Sequence, residues 1–222
     1  RHSEAKIIIL TSEQDSEVRA TLFKLGVLDY IIEDEKLVKS VHKINETMQR
    51  IIENIDFNVL VIDDSSLLRK QVDMILKARS YSIFEAKSAK DAMEVLKQES
   101  IDIILLDLEL PDMHGSQLLE IIKNDPSHLA TPVLILSGTN DPELISRVLK
   151  GGASDFIQKP FNAEQFVLKV DLWSQLQHRS DDISQLKRLL REHTQTLDHN
   201  TVVSIVDAQG LFSHVSEKFC EL

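Results

Sequence analysis

The 222-residue chain is long enough to bury one or two full hydrophobic cores. Its formal net charge of -11, with no basic stripe, argues against nucleic-acid binding by this segment, and its single cysteine, Cys220, excludes an intramolecular disulfide and suits a reducing cytosol. No apolar run approaches the ~20 residues that span a bilayer and no leader pattern opens the chain, so the segment reads as a cytoplasmic piece of a longer protein, away from membranes.

In chain order, Lys6 to Leu10 reads as an apolar strand ending at Thr11. Asp15-Ser16-Glu17 carries N-cap chemistry for a helix to about Lys24, Gly26 closes it, and Leu28 to Ile32 forms a second strand. Leu37, Val41, Ile44, Met48, Ile51 and Ile55 alternate spacings of four and three, which predicts one long amphipathic helix with those residues as its apolar stripe. The same pattern recurs 126 residues later without a gap. Ile9-Leu10-Thr11 matches Ile135-Leu136-Ser137, Asp15 matches Asp141, Gly26 matches Gly152, and Asp29-Tyr30 matches Asp155-Phe156. Glycines and aspartates in register, beyond the apolar matches, point to a duplicated unit. Glu33 breaks the match in charge, because the later copy has Lys159 there.

The later copy is complete. Phe57 to Ile62 is a buried strand ending in Asp63-Asp64, Ser65 or Ser66 caps a helix through about Arg79, Ser82 to Ala86 is a short strand, and Ala89 to Glu99 a helix. Ile103 to Asp107 is an unbroken aliphatic run closed by an acid, as expected of a strand buried on both faces. The Pro111 to Gly115 loop leads into a helix through Lys123, and Val133 to Leu136 is a strand before Ser137-Gly138. Asp141-Pro142 opens a helix closed by Gly151-Gly152, and Asp155 to Ile157 is the last strand, before Lys159-Pro160-Phe161 and a helix from Asn162. Five strands alternating with five helices predict an α/β fold with a doubly wound parallel sheet.

The strand ends then collect Asp63, Asp64, Asp107, Ser137 and Lys159 at one rim, where open α/β sheets gather their ligands. Crowded carboxylates repel, and a hard, oxygen-preferring cation such as Mg²⁺ relieves them. An aspartate beside such a cation, with a lysine nearby, is a competent nucleophile toward phosphorus. The plainer reading, that the Asp pair only caps a helix, covers Asp63 and Asp64 but not the other strand ends.

These motifs, Val59-Leu60-Val61-Ile62-Asp63-Asp64, Leu105-Leu106-Asp107, Leu110-Pro111-Asp112-Met113-His114-Gly115, Ser137-Gly138 and Lys159-Pro160-Phe161, resemble the receiver domain of two-component response regulators over residues 56–177. The resemblance implies a flavodoxin-like five-stranded parallel sheet of order 2-1-3-4-5 with a long C-terminal helix. It implies that Asp107 accepts a phosphoryl group from a histidine kinase or a histidine phosphotransfer protein. Asp64 and Asp107 would hold Mg²⁺ with the backbone carbonyl of Glu109, and Asp63 would act through water. Lys159 would pair with the phosphoryl group, Ser137 would move to hydrogen-bond it, and Phe156 matches the family's switch aromatic. One rival is a phosphatase of the haloacid dehalogenase type, which needs a second aspartate where this chain has Glu109; another is a non-phosphorylated scaffold.

Residues 1–55 resemble the C-terminal half of a degenerate receiver with a scaffolding or dimerising role, because any counterpart of Asp107 falls before Arg1 and Glu33 removes the amine. Residues 178–200 read as a helical linker. Leu172, Leu176, Ile183, Leu186, Leu190 and Leu197 follow a heptad seam interrupted at Arg179 and His193, which suggests a homodimer through helices, with a packed surface helix as the rival. His193 and His199 read as solvated and Trp173 as a packing anchor. Residues 201–222 resemble the start of a PAS domain, with Val203 to Val206 and Leu211-Phe212 around an Asp207 to Gly210 turn, then Ser216 to Phe219 entering a helix. A receiver, linker and PAS order is similar to regulators with a diguanylate cyclase output domain, although no turnover enzyme is expected in the residues present.

Overall fold

The computed structural model describes residues 6–12, 15–32, 37–200, 204–206, 209 and 211–215. The first compact unit, Arg1–Ser174, opens with β1 (Ile8–Thr11), α1 (Ser16–Lys24), β2 (Asp29–Ile32) and α2 (Leu37–Glu53). It continues with β3 (Asn58–Ile62), α3 (Ser66–Lys77), β4 (Ser82–Ala86), α4 (Ala89–Gln98), β5 (Ile103–Asp107), α5 (Gly115–Asn124), β6 (Val133–Ser137), α6 (Pro142–Lys150) and β7 (Asp155–Gln158). A single helix, α7 (Ala163–Asn200), runs from this unit into the second, Gln175–Leu222, which ends in β8 (Ser204–Val206) and β9 (Phe212–Val215).

The main sheet has the order β4-β3-β5-β6-β7 with every pair parallel, which is the doubly wound order expected. Side-chain alternation sorts the aliphatic strands onto two cores. Val59, Val61, Ile103 and Leu105 pack with Val72, Ile75 and Leu76 of α3 and Phe166, Val167 and Val170 of α7. Leu60, Ile62, Ile104 and Leu106 pack with Ala92 and Leu96 of α4, Leu118 and Ile122 of α5 and Val148 of α6. Because both faces are covered, β5 and β6 are buried along their whole length.

Local backbone features of residues 8–32 recur in residues 134–158. β1 and β2 pair in parallel from Ile8↔Asp29 to Thr11↔Ile32, the register that β6 and β7 take from Leu134↔Asp155 to Ser137↔Gln158. Asp15 accepts the Glu17 amide at the start of α1 as Asp141 accepts the Glu143 amide at the start of α6. Gly26 and Gly152 follow the two helices with φ of 83° and 101°, a left-handed conformation that explains why glycine recurs there. Glu33 lies outside the described residues.

This first copy packs on the α3 and α7 side of the receiver-like sheet. Phe23 and Tyr30 join the same core as Leu76, Tyr81 and Val170. Lys6 Nζ donates to the carbonyls of Lys77 and Ala78 at 3.2 and 2.8 Å, and Arg79 donates to the Leu28 carbonyl. Arg19 pairs with Glu164, and Arg50 approaches Asp171 at 3.7 Å. Between the two lies a cavity of about 230 Å³, lined in part by Arg19, Asp29, Arg50, Arg79 and Asp171.

The apolar stripe predicted for α2 is buried only in part: Ile51 is buried and Ile44 half-buried. Val41 and Met48 are 47% and 44% exposed, as is Ile55 at 54% in the 3-10 turn Asn54–Asp56 that follows the helix, whereas Ser40, Thr47 and Asn54 are buried. Polar anchors hold this element: on α2 Thr47 donates to Asp29 at 2.7 Å, and just past the helix Asn54 donates to the Arg79 carbonyl and accepts from Ser174. On α7, Leu172, Leu176, Ile183 and Leu186 of the proposed seam are exposed, and Trp173 packs against the core. In the second unit β8 and β9 form the antiparallel hairpin expected, with β9 running on to Val215, beyond the Phe212 end read from the sequence. The segment read as entering a helix, Ser216 to Phe219, lies outside the described residues. Among the described residues no helix is long and apolar enough to cross a membrane.

Candidate functional site

Three strand ends build the site. β3 delivers Asp63 and Asp64 just past its last residue, β5 ends on Asp107, and β6 ends on Ser137, one position beyond the Leu136 that pairs with Asp107. The Lys159 amide donates to the Ser137 carbonyl at 2.8 Å, tying the segment after β7 to the end of β6. All five residues therefore stand at the carboxyl rim of one rigid sheet.

The acids are not merely helix caps. Ser65, not Asp63 or Asp64, caps α3 by accepting the Leu68 amide. Asp63 is fully buried and Asp107 nearly so, while Asp64 is exposed. Lys159 Nζ lies 2.6 Å from Asp63 Oδ2 and 2.9 Å from Asp107 Oδ2, so one ammonium bridges two carboxylates. Burial pulls the Lys159 pKa down, but its bonds to Asp63 and Asp107 outweigh this and hold it above the ordinary lysine value. Burial pushes Asp107 above the ordinary carboxylate value, against the opposing pull of Lys159.

One carboxylate oxygen from each of Asp63, Asp64 and Asp107 falls within 4.8 Å of the others. The donor set fits a hard cation: it is all oxygen, and the cluster carries more negative charge than one lysine offsets. Ser137 is buried and its Oγ accepts the Thr139 amide at 3.3 Å. Phe156 is half-buried beside the α4–α6 core, and its amide is held by Asp155 at 2.7 Å. The Glu109 amide donates to Asp107 Oδ1 at 3.4 Å.

Two supporting residues escaped the sequence reading. Arg69 Nη1 donates to the carbonyls of Asp63 and Asp64 at 2.7 and 3.1 Å, and its Nε bonds Glu85 at 2.8 Å, so it clamps the acidic loop to edge strand β4. The available signal was a cation near a helix N-terminus, where the macrodipole disfavours it unless something else holds it. Asp112 accepts the amides of Ala89 and Lys90, both at 2.9 Å, fastening the loop after β5 to the start of α4; those bonds hold its pKa below the ordinary value. No spacing in the sequence announces that contact.

Residues 59–171, just over half of the chain, match the response regulator receiver domain model. The cell cycle response regulator CtrA of Brucella ovis is 35% identical over 112 residues, covering 50% of this chain and 47% of that protein. The chain therefore spans about half the length of the curated relatives it matches. Among solved structures, a putative two-component system response regulator/GGDEF domain protein is 27% identical with a TM-score of 0.70, over 78% of this chain and 70% of that one. The receiver domain of a putative LuxO repressor from Vibrio parahaemolyticus is 29% identical with a TM-score of 0.54, over 57% of this chain and 95% of that one. With the doubly wound sheet, the strand-end acids and the bridging lysine in place, the chain belongs to the response regulator receiver domain family.

Proposed function

We propose that the protein is a phosphorylation-controlled signalling module whose acceptor is Asp107. The observation that carries this reading is the Lys159 bridge between Asp63 and Asp107, with Asp64 at the same rim. An Asp107 carboxylate oxygen attacks the phosphorus of a phosphohistidine on a histidine kinase or phosphotransfer protein. The P–N bond breaks, its electron pair stays on the imidazole nitrogen, which takes up a proton, and an acyl phosphate remains. Asp63, Asp64, Asp107 and the Glu109 carbonyl are the groups that would hold Mg²⁺, which when bound neutralises charge on the transferred phosphoryl oxygens. Lys159 exchanges one carboxylate contact for the phosphoryl group, Ser137 hydrogen-bonds it, and Phe156 follows the hydroxyl inward.

In the same reading the first copy is a receiver remnant with a scaffolding role, and α7 carries the signal toward a PAS-like segment. A homodimer through helices and a GGDEF-type output making cyclic di-GMP belong to the whole protein. The likeness to a response regulator/GGDEF domain protein over 78% of this chain supports that assignment. Incubation with acetyl phosphate and Mg²⁺, read by intact mass and phosphate release, is the test. One phosphoryl group per chain is expected, absent in Asp107→Asn and without Mg²⁺. Continuous phosphate release over many turnovers would instead identify a phosphatase, and no modification at all a scaffold.

A further inference from the structure

Among the described residues β1 pairs along one edge only, with β2. In a parallel sheet the amide and carbonyl of each residue point to one side and alternate along the strand. The Leu28 amide donates to the Ile7 carbonyl, so Ile7, Ile9 and Thr11 face β2 and the backbone groups of Ile8 and Leu10 face the other way. Among the described residues no strand pairs with that edge.

The second copy displays what covers it. There the edge equivalent to Ile8 and Leu10 belongs to Leu134 and Leu136 of β6, and it pairs with β5 from Ile104↔Val133 to Asp107↔Leu136. The side chains tell the same story. Ile7 and Leu10 are 54% and 42% exposed, whereas their counterparts Val133 and Leu136 are fully buried. On α2, Val41 is 47% exposed where its counterpart on α7, Val167, is 2% exposed. These apolar residues are the ones whose counterparts the central strands bury in the second copy, which also accounts for the exposure of Val41 on α2.

We infer that the free edge of β1 and the Val41 side of α2 form a docking surface for an aliphatic strand laid parallel to β1, in the register that β5 takes on β6. The occupant is the β-α-β-α-β half of a receiver sheet contributed by the same polypeptide ahead of Arg1, because in the second copy the covering strand precedes β6 in the same chain, joined through one helix. The inference deepens the reading of the first copy as a receiver remnant and does not depend on phosphate chemistry. Main-chain pairing supplies the affinity, and the apolar side chains fix the register.

Amide hydrogen exchange on the 222-residue chain and on the full-length polypeptide tests it. In the 222-residue chain Ile8 and Leu10 should exchange freely while Ile9 and Thr11 are protected by β2. In the longer form Ile8 and Leu10 should slow by at least ~100-fold, and Leu10→Asp should abolish that protection while leaving the melting temperature of the 222-residue chain unchanged. Unchanged exchange at Ile8 and Leu10 in the longer form, with Ile9 and Thr11 still protected, overturns the docking but keeps the duplicated unit. Free exchange at all four positions overturns both. Concentration-dependent protection of Ile8 and Leu10 in the 222-residue chain would assign the edge to a second copy and overturn the proposal in this form.

Discussion

At the scale of single residues, Lys159 is the counter-charge that lets two buried carboxylates share one rim. Replacing it with Met leaves Asp63, whose side chain is fully buried, beside Asp107 with no cation. Breaking such a pair costs about 3 kcal/mol, so Lys159→Met should lower the urea midpoint accordingly without metal, and added Mg²⁺ should recover much of the loss. A midpoint unmoved by the substitution would show that the bridge carries no stability. Arg69 works one step further out, on the carbonyls that aim Asp63 and Asp64. Arg69→Met should weaken Mg²⁺ affinity by ~10-fold at little cost to the fold, with partial rescue in Arg69→Lys, as measured by titration calorimetry. Equal affinity in all three proteins would reduce the clamp to a surface contact. Gly115 is fixed by close approach: a Cβ there would overlap the Asp107 carbonyl oxygen and sit 2.8 Å from Leu108 Cα, both backbone atoms. Gly115→Ala should therefore destabilise by about 3 kcal/mol and displace the acceptor strand, visible as loss of acetyl phosphate reactivity alongside the lowered midpoint. The acids, the hydroxyl and the lysine were legible in the sequence because strand ends and turn residues fix their places. Arg69 and Asp112 were not: Arg69 acts on backbone carbonyls, which carry no side-chain signature, and Asp112 through a contact with a helix start more than twenty residues away.

Strands and helices show where local pattern decides and where tertiary context overrides it. β5 was legible as an unbroken aliphatic run, because four successive apolar positions closed by an acid suit a strand covered on both faces. The duplicated register of β1–β2 and β6–β7 was legible because glycine and aspartate mark turns that side-chain chemistry dictates. α2 was legible as a helix but not in its facing. Periodicity reports where apolar residues lie, and burial depends on what stands opposite; here Asp29, Arg79 and Ser174 bind Thr47 and Asn54, and Val41 and Met48 are left exposed while Ile51 is buried. The short strand β9 was misjudged at its end for the reason strand boundaries usually are: Ser213 and His214 carry no apolar signal, and pairing with β8 alone extends the ladder.

For the molecule as a whole, stability couples to pH through Asp171, where the first copy meets the receiver fold. Burial raises its pKa above the ordinary carboxylate value, against the attraction of Arg79, the hydrogen bond from Tyr81 and the attraction of Arg50. A carboxylate with a raised folded pKa contributes stability that is full below its unfolded pKa and is lost as pH rises through the folded one. Asp171→Asn lacks this titration, so the wild type should lose stability relative to the variant as pH rises from about 4, the ordinary carboxylate value, toward neutrality. Urea midpoints of both proteins across that window check it, and a constant difference would refute it.

The placement of the first copy also constrains stoichiometry. The flank formed by α3 and the root of α7 is occluded from within the chain, by Phe23, Tyr30 and the Arg19–Glu164 pair. A two-fold assembly buries one patch against its own image, and a patch already spent inside the protomer is withdrawn from that role. Within Arg1–Ser174 a symmetric mate must therefore be met elsewhere, and α6, with Pro142 and Leu149 open to solvent, is a helix still at liberty to do so.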